Sequence, residues 1–273
     1  MIGKRLENVR NTKPLIHSIT NYVTAGDVAN IILSCGGRPV MSDEPDEAED
    51  IVSSCMGLDI NTGTLNKQTI RAMHIAVKKA NLLGIPVLLD PVGVNASKLR
   101  FNTVNNLLNE FKISAVCGNF TEIRSIADSS HRTGGVDADE TDTVDENNIL
   151  SAVSFIKNLS CKLHCIIAAT GKIDIISNGT KTYIIRNGCA EMSRISGTGC
   201  QLSGIMTAFI AANPDSPLEA CACAVCTMGL AGETAFRNLS EHGGMAEMRN
   251  RIIDAVYNMT LSDLERGAKY EIM

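Results

Sequence analysis

The residues best suited to chemistry in this sequence stand where apolar runs end. Ser196-Gly197-Thr198-Gly199-Cys200 is the most informative group. It precedes Leu202, Ile205, Met206, Phe209 and Ile210, an apolar stripe at helical spacing, so a glycine turn opens a helix. The first N–H groups of a helix have no partner inside it, and the helix dipole puts positive charge at the same end. Glycines let an anion approach with no Cβ in the way, and the pattern predicts a phosphate cradle. The Walker spacing Gly-x-x-x-x-Gly-Lys-Ser/Thr is absent, as are the third glycine and the following acid of the dinucleotide fingerprint.

Cys200 falls in the first turn of that helix, where the dipole lowers a thiol pKa from about 8.5. The position suits a nucleophile, a proton acceptor or a small packing residue, and free cysteines favour burial. Three other run-ends carry reactive groups. Asp90-Pro91-Val92-Gly93 ends Val87-Leu88-Leu89 with a carboxylate. Gly118-Asn119-Phe120-Thr121-Glu122 sets an amide and a carboxylate three residues apart, a spacing that serves either a site or a helix cap. Ala169-Thr170-Gly171-Lys172 offers a hydroxyl, a flexible backbone and a cation to a phosphate, or the approach to a hairpin.

The elements that must position these groups alternate. Leu15–Ile19, Pro39–Met41, Gly57–Ile60, Ile85–Asp90, Ile113–Cys117 and Cys165–Ala169 read as strands, separated by amphipathic stretches such as Asn66–Leu83 with Gly84 as its C-cap. Alternation of this kind predicts an α/β fold whose central sheet is mainly parallel and flanked by helices, with ligands at the carboxyl ends of the strands. Ile173–Ser177 and Thr182–Arg186 flank Asn178-Gly179 and predict a hairpin. Helices follow from Gly197 onward. The polar segment from Asp128 to Glu146 reads as a solvated loop or a lid.

The chain has 273 residues, which suits one large α/β domain over 1–273, and a formal charge of −5 argues against a polyanion partner. Aromatic residues make up 4% and Trp is absent, leaving few platforms for stacking nucleic-acid bases. No stretch approaches the roughly 20 apolar residues that span a bilayer, and Lys4, Arg5 and Glu7 fall where a secretory signal needs an apolar core. A cytoplasmic protein with no membrane partner is expected. Ten cysteines are diluted along the chain and read as reduced thiols; Cys223 and Cys226 have the spacing of half a zinc site but lie in a small-residue helix, which reads as packing.

Taken in order, His17-Ser18-Ile19-Thr20-Asn21-Tyr22-Val23, Pro39-Val40-Met41, Asn61-Thr62-Gly63-Thr64-Leu65, Asp90-Pro91-Val92-Gly93, Gly118-Asn119 with Glu122, Thr170-Gly171 and Gly197-Thr198-Gly199-Cys200 closely resemble the hydroxyethylthiazole kinase family over nearly the whole length. The resemblance implies a ribokinase-like fold, a thiamine-salvage reaction in which ATP phosphorylates the primary hydroxyl of 4-methyl-5-(2-hydroxyethyl)thiazole, Mg²⁺ as cofactor, and a homotrimer with the thiazole pocket between subunits. It also implies roles. Backbone amides of Gly197, Thr198 and Gly199 steady the transferring phosphoryl group, Asp90 and Glu122 hold Mg²⁺ directly or through water, and Cys200 orients or deprotonates the alcohol. Met41, Asn21 and Gly197 meet the thiazole, and Thr170, Asn119 and Cys117 line the ATP site.

Cys117 stands where the family usually has Arg, with Arg124 or Lys172 as candidate replacements. Two other readings compete: a kinase for another vitamin-precursor alcohol such as hydroxymethylpyrimidine, and a sensor that keeps the pocket without turnover.

Overall fold

The computed structural model describes residues 2–128 and 143–273, so most of the polar segment from Asp128 to Glu146 lies outside the described residues. In chain order the strands are β1 (Leu15–Ile19), β2 (Arg38–Met41), β3 (Gly57–Asn61), β4 (Val87–Asp90), β5 (Ala115–Asn119), β6 (Ile166–Thr170), β7 (Asp174–Ser177), β8 (Thr182–Ile185) and β9 (Tyr270–Ile272). Among the described residues they form one nine-stranded sheet in the order β2-β1-β3-β4-β5-β6-β7-β8-β9. Pairing is parallel from β2 to β6 and antiparallel from β6 to β9. The helices are α1 (Lys4–Thr12), α2 (Ala25–Cys35), α3 (Ala48–Ser53), α4 (Lys67–Leu83), α5 (Lys98–Glu110), α6 (Phe120–Ala127), α7 (Ile149–Leu163), α8 (Thr198–Ala212), α9 (Pro217–Arg237), α10 (Met245–Asn258) and α11 (Leu261–Gly267).

Strand side chains alternate faces, and two cores follow from that period. Leu88, Ala115, Ile166, Ala168, Ile176 and Ile185 join the core under α1, α2 and α8 to α11. Their neighbours Leu89, Val116, Ile167, Ala169, Ile175 and Ile184 join the core under α4 to α7. Gly84, at φ +70°, ends α4 as expected, and at its start the Asn66 side chain accepts from the N–H groups of Gln68 and Thr69.

Helix α8 lies across β1, β3, β4 and β5 and packs on α2 and α9. Small residues allow the close fit. A Cβ at Gly204 would stand 3.1 Å from Ile32 and Val28, and one at Gly57 would stand 3.0 Å from Thr207 Cγ2. The N-terminus of α8 is thereby held over the carboxyl ends of the parallel strands.

Differences from the sequence expectations are small and have physical causes. Strands β4, β5 and β6 begin one or two residues later than their apolar runs, since Ile85 and Ile113 belong to the approach from the preceding helix. Strand β9 was not anticipated: its three residues are exposed and show no alternation. Among the described residues no helix is long and apolar enough to cross a membrane.

Candidate active site

Parallel pairing brings several strand ends to one edge. Asn61 pairs with Asp90, Asn119 with Thr170, and Ser18 with Met41. Above them, Gly197 serves as N-cap of α8 at φ +88°, and no side chain caps the helix. Gly199 is exposed, Gly197 and Thr198 are half-buried, and the first intrahelical bond runs from Gln201 N–H to Gly197 O at 2.8 Å. The glycine turn is therefore open to an incoming anion, with unpaired N–H groups of the first helical turn at its base.

Cys200 points down from that turn into a buried amide cluster. Asn21 Nδ2 and Asn61 Nδ2 each donate to its Sγ at 3.2 Å. Asn61 Nδ2 also donates to Asp90 Oδ2 at 2.6 Å. The glycine turn and the first acid are thus linked through a single side chain. The expectation of a thiol acidified by the helix dipole is reversed: burial first, then the Asp90 charge, pushes Cys200 up to about 12, and the opposing bonds from Thr24, Asn61 and Asn21 do not offset them.

Asp90 and Glu122 are both buried. Burial, then the charges of Glu122 and Asp59, holds Asp90 well above the usual carboxylate range. Glu122 is pushed up to about 7, chiefly by burial. Its Oε1 accepts from Gly93 N–H and its Oε2 from Asn119 N–H, both at 2.9 Å. Asn119 in turn accepts from Glu122 N–H at 2.8 Å, so the capping box and the acid of the site are one structure. Among the described residues no group of three or more His, Cys, Asp or Glu side chains forms a metal-ligand set. Two mutually repelling hard-oxygen acids, one of them already bonded at both oxygens, do fit a hydrated Mg²⁺ held partly through water.

The other expected residues distribute as follows. Asn21 joins the cluster directly. Met41 is half-buried at the end of β2, the edge strand, beside β1, from which Asn21 follows. Thr170 is half-buried and donates to Gly118 O at 3.2 Å, next to Asn119. Cys117 is not brought to the surface of the group. It lies one pleat below Asn119, 3% exposed, in the core that holds Cys221, and burial raises its thiol. Lys172 and Arg124 are exposed.

Sequence reasoning missed three residues here. Asn61 entered only as part of a family motif, and Asp59, buried beside Ser18 at 2.7 Å, was read as part of an apolar strand. Arg100 lies on α5, yet its guanidinium donates to Val92 O at 3.0 Å and Gly63 O at 2.6 Å and ties two site loops together. A cavity of about 710 Å³ lies elsewhere, between α9, α10 and α11, and includes none of these side chains.

Residues 6–262 match the family described as hydroxyethylthiazole kinase. A hydroxyethylthiazole kinase of Clostridium acetobutylicum is 51% identical over 271 residues, 99% of both chains, and one of Clostridium beijerinckii is 43% identical over 98% of this chain and 96% of its own. The solved hydroxyethylthiazole kinase protein of Pyrococcus horikoshii superposes with a TM-score of 0.88 at 30% identity, covering 100% of this chain and 98% of its own. A ribokinase-like superfamily protein of Enterococcus faecalis superposes with a TM-score of 0.64 at 13% identity, covering 96% of this chain and 89% of its own, a likeness of fold alone. The fold is thus the ribokinase-like α/β arrangement expected, and the chain belongs to the hydroxyethylthiazole kinase family.

Proposed function

We propose that the protein transfers the γ-phosphoryl group of ATP to the primary hydroxyl of 4-methyl-5-(2-hydroxyethyl)thiazole in thiamine salvage, with Mg²⁺ as cofactor. The observation that carries this reading is the open glycine turn of α8, whose Cys200 is joined through Asn61 to Asp90. An anion cradle, an acidic pair and a polar group for the alcohol are the parts that in-line phosphoryl transfer requires.

The N–H groups of Gly197, Thr198 and Gly199, with the positive end of the α8 dipole, receive charge on the transferring group. When bound, Mg²⁺ neutralises phosphate charge, and Asp90 and Glu122 are the residues that hold it. Thr170 and Asn119 line the ATP side. Met41 and Asn21 face the thiazole, a flat and mostly apolar ring suited to a thioether contact. Cys200 is a protonated thiol at neutral pH in the ligand-free protein, since burial sets its pKa at about 12. Its role in that state is to orient the alcohol at the sulfur rather than to stand as a ready base.

Exposed Tyr22 and Val23 directly follow Asn21 and support assembly into a homotrimer with the substrate pocket at the subunit interface. One kinase domain over residues 1–273 is supported by the unbroken sheet from β2 to β9. Ten free thiols support a reducing, cytoplasmic setting.

The test is to incubate purified protein with ATP, Mg²⁺ and the thiazole alcohol and follow phosphomonoester formation by ³¹P NMR, with hydroxymethylpyrimidine in parallel. Phosphorylated thiazole is expected. Turnover of the pyrimidine alone, or thiazole binding by calorimetry without product, overturns the reading in favour of a different kinase or a sensor.

A further inference from the structure

Asn61 is the last residue of β3 and is 1% exposed. A primary amide has two N–H donors and a carbonyl able to accept twice, and here every one is in use. Nδ2 donates to Asp90 Oδ2 at 2.6 Å and to Cys200 Sγ at 3.2 Å. Oδ1 accepts from Asn21 Nδ2 at 3.1 Å and from Gly63 N–H at 2.9 Å. Rotating the amide by half a turn would set its NH₂ against the Gly63 N–H, donor against donor, so one orientation is fixed.

The surroundings are shaped to that amide. A Cβ on Gly63 would come within 2.9 Å of Asn61 Oδ1 and 2.8 Å of Asn21 Cβ, so an unbranched backbone is needed for the two amides to close on the sulfur. Arg100 holds the same loop in place through Gly63 O at 2.6 Å. Asn61 spans the site, joining the thiol on α8 to the acid on β4.

We propose that Asn61 is a positioning residue for phosphoryl transfer: its amide holds the Cys200 sulfur toward the acceptor alcohol and acts on the reaction through that sulfur. The inference rests on the kinase reading above. Asn61 touches neither substrate; it sets the direction of the group that does.

A double-mutant cycle tests it. Asn61→Ala is expected to lower kcat by at least about tenfold with KM for ATP changed by less than about threefold, the split expected when an interaction specific to the transition state is lost. In a Cys200→Ala background the same change is expected to cost at least about threefold less than in the wild type, the remainder being the lost bond to Asp90. Losses that multiply across the two positions, or an Asn61→Ala enzyme with unchanged kcat, overturn the proposal.

Two further measurements cover a variant that folds poorly or an enzyme of other specificity. Gly63→Ala keeps Asn61 and displaces its amide, and is expected to reproduce the kcat loss; wild-type kcat in a folded Gly63→Ala enzyme counts against the proposal. Alkylation by iodoacetamide, read residue by residue by mass spectrometry, is expected to change several-fold at Cys200 in Asn61→Ala and to stay constant at exposed Cys161. An unchanged Cys200 rate overturns the positioning role whatever the substrate proves to be, whereas absent thiazole turnover in wild type strikes only the kinase reading.

Discussion

Gly197 is held so closely against Thr24 that a Cβ on the glycine would come within 2.9 Å of Thr24 Cβ and nearer still to its Cγ2. Gly199, two residues on, has nothing within 4 Å of the same construction. The fold requires the first glycine. The second stands in open space.

Gly197→Ala is therefore expected to destabilise the protein by more than about 1 kcal/mol, from its φ of +88° and the overlap with Thr24, as a lower urea midpoint. Gly199→Ala is expected to hold or raise that midpoint while lowering kcat/KM for ATP, because its methyl suits the helix yet occupies the approach to the helix N–H groups.

Cys200→Ala is expected to reduce kcat by at least about tenfold under saturating substrates, because the sulfur that orients the alcohol is gone. Cys200→Asp should retain turnover, since Asn21 and Asn61 offer the new carboxylate the N–H donors they now give to sulfur. Steady-state assays decide the matter, and an Ala variant as fast as wild type removes Cys200 from the chemistry.

The buried acids make ligand-free stability depend on pH in a definite direction. Burial raises Glu122 from 4.5 to about 7 and Asp59 from 3.8 to about 6. The folded state then keeps protons that the unfolded chain releases. This contribution is present in full below the unfolded values and is lost as pH rises through the folded ones, at up to about 1.4 kcal/mol per pH unit for each group. Thermal unfolding should occur at lower temperature at pH 8 than at pH 5. Glu122→Gln should flatten that slope, and Mg²⁺ added at pH 8 should raise the midpoint of the wild type alone.

Replacing Cys117 by Arg would put a cation beside Asp90, Asp174 and Glu122, whose charges already act on the thiol. The expected result is a KM for ATP about tenfold lower, in line with a gain of about 1.5–3 kcal/mol for a hydrogen bond to a charged group. An unchanged KM would show that the buried position does not reach the nucleotide, or that Arg124 or Lys172 already supplies the charge.

Much of the fold was legible because two periods repeat along the chain. Apolar runs at the six parallel strands, the Gly84 cap and the Asn178-Gly179 turn each depend on neighbours in sequence, and each appears within a residue or two of its expected place. Strand β9 did not, because pairing with β8 places it rather than its own pattern. At the site, Asp90, Glu122 and Cys200 were legible as run-ends and a helix start. Arg100 was not: its partners are backbone carbonyls of Val92 and Gly63, and composition carries no trace of such bonds. The Cys200 pKa was misread for the same reason, since helix position is local whereas burial and the Asp90 field come from the assembled sheet.

The acids gathered beneath the glycine turn couple ion binding to proton release. Asp59, Asp90 and Glu122 are all displaced upward by burial, so their protonated forms are favoured, and a cation entering among them would have to displace those protons. Binding of such a cation would therefore be weaker at acid pH and would acidify an unbuffered solution as it proceeds.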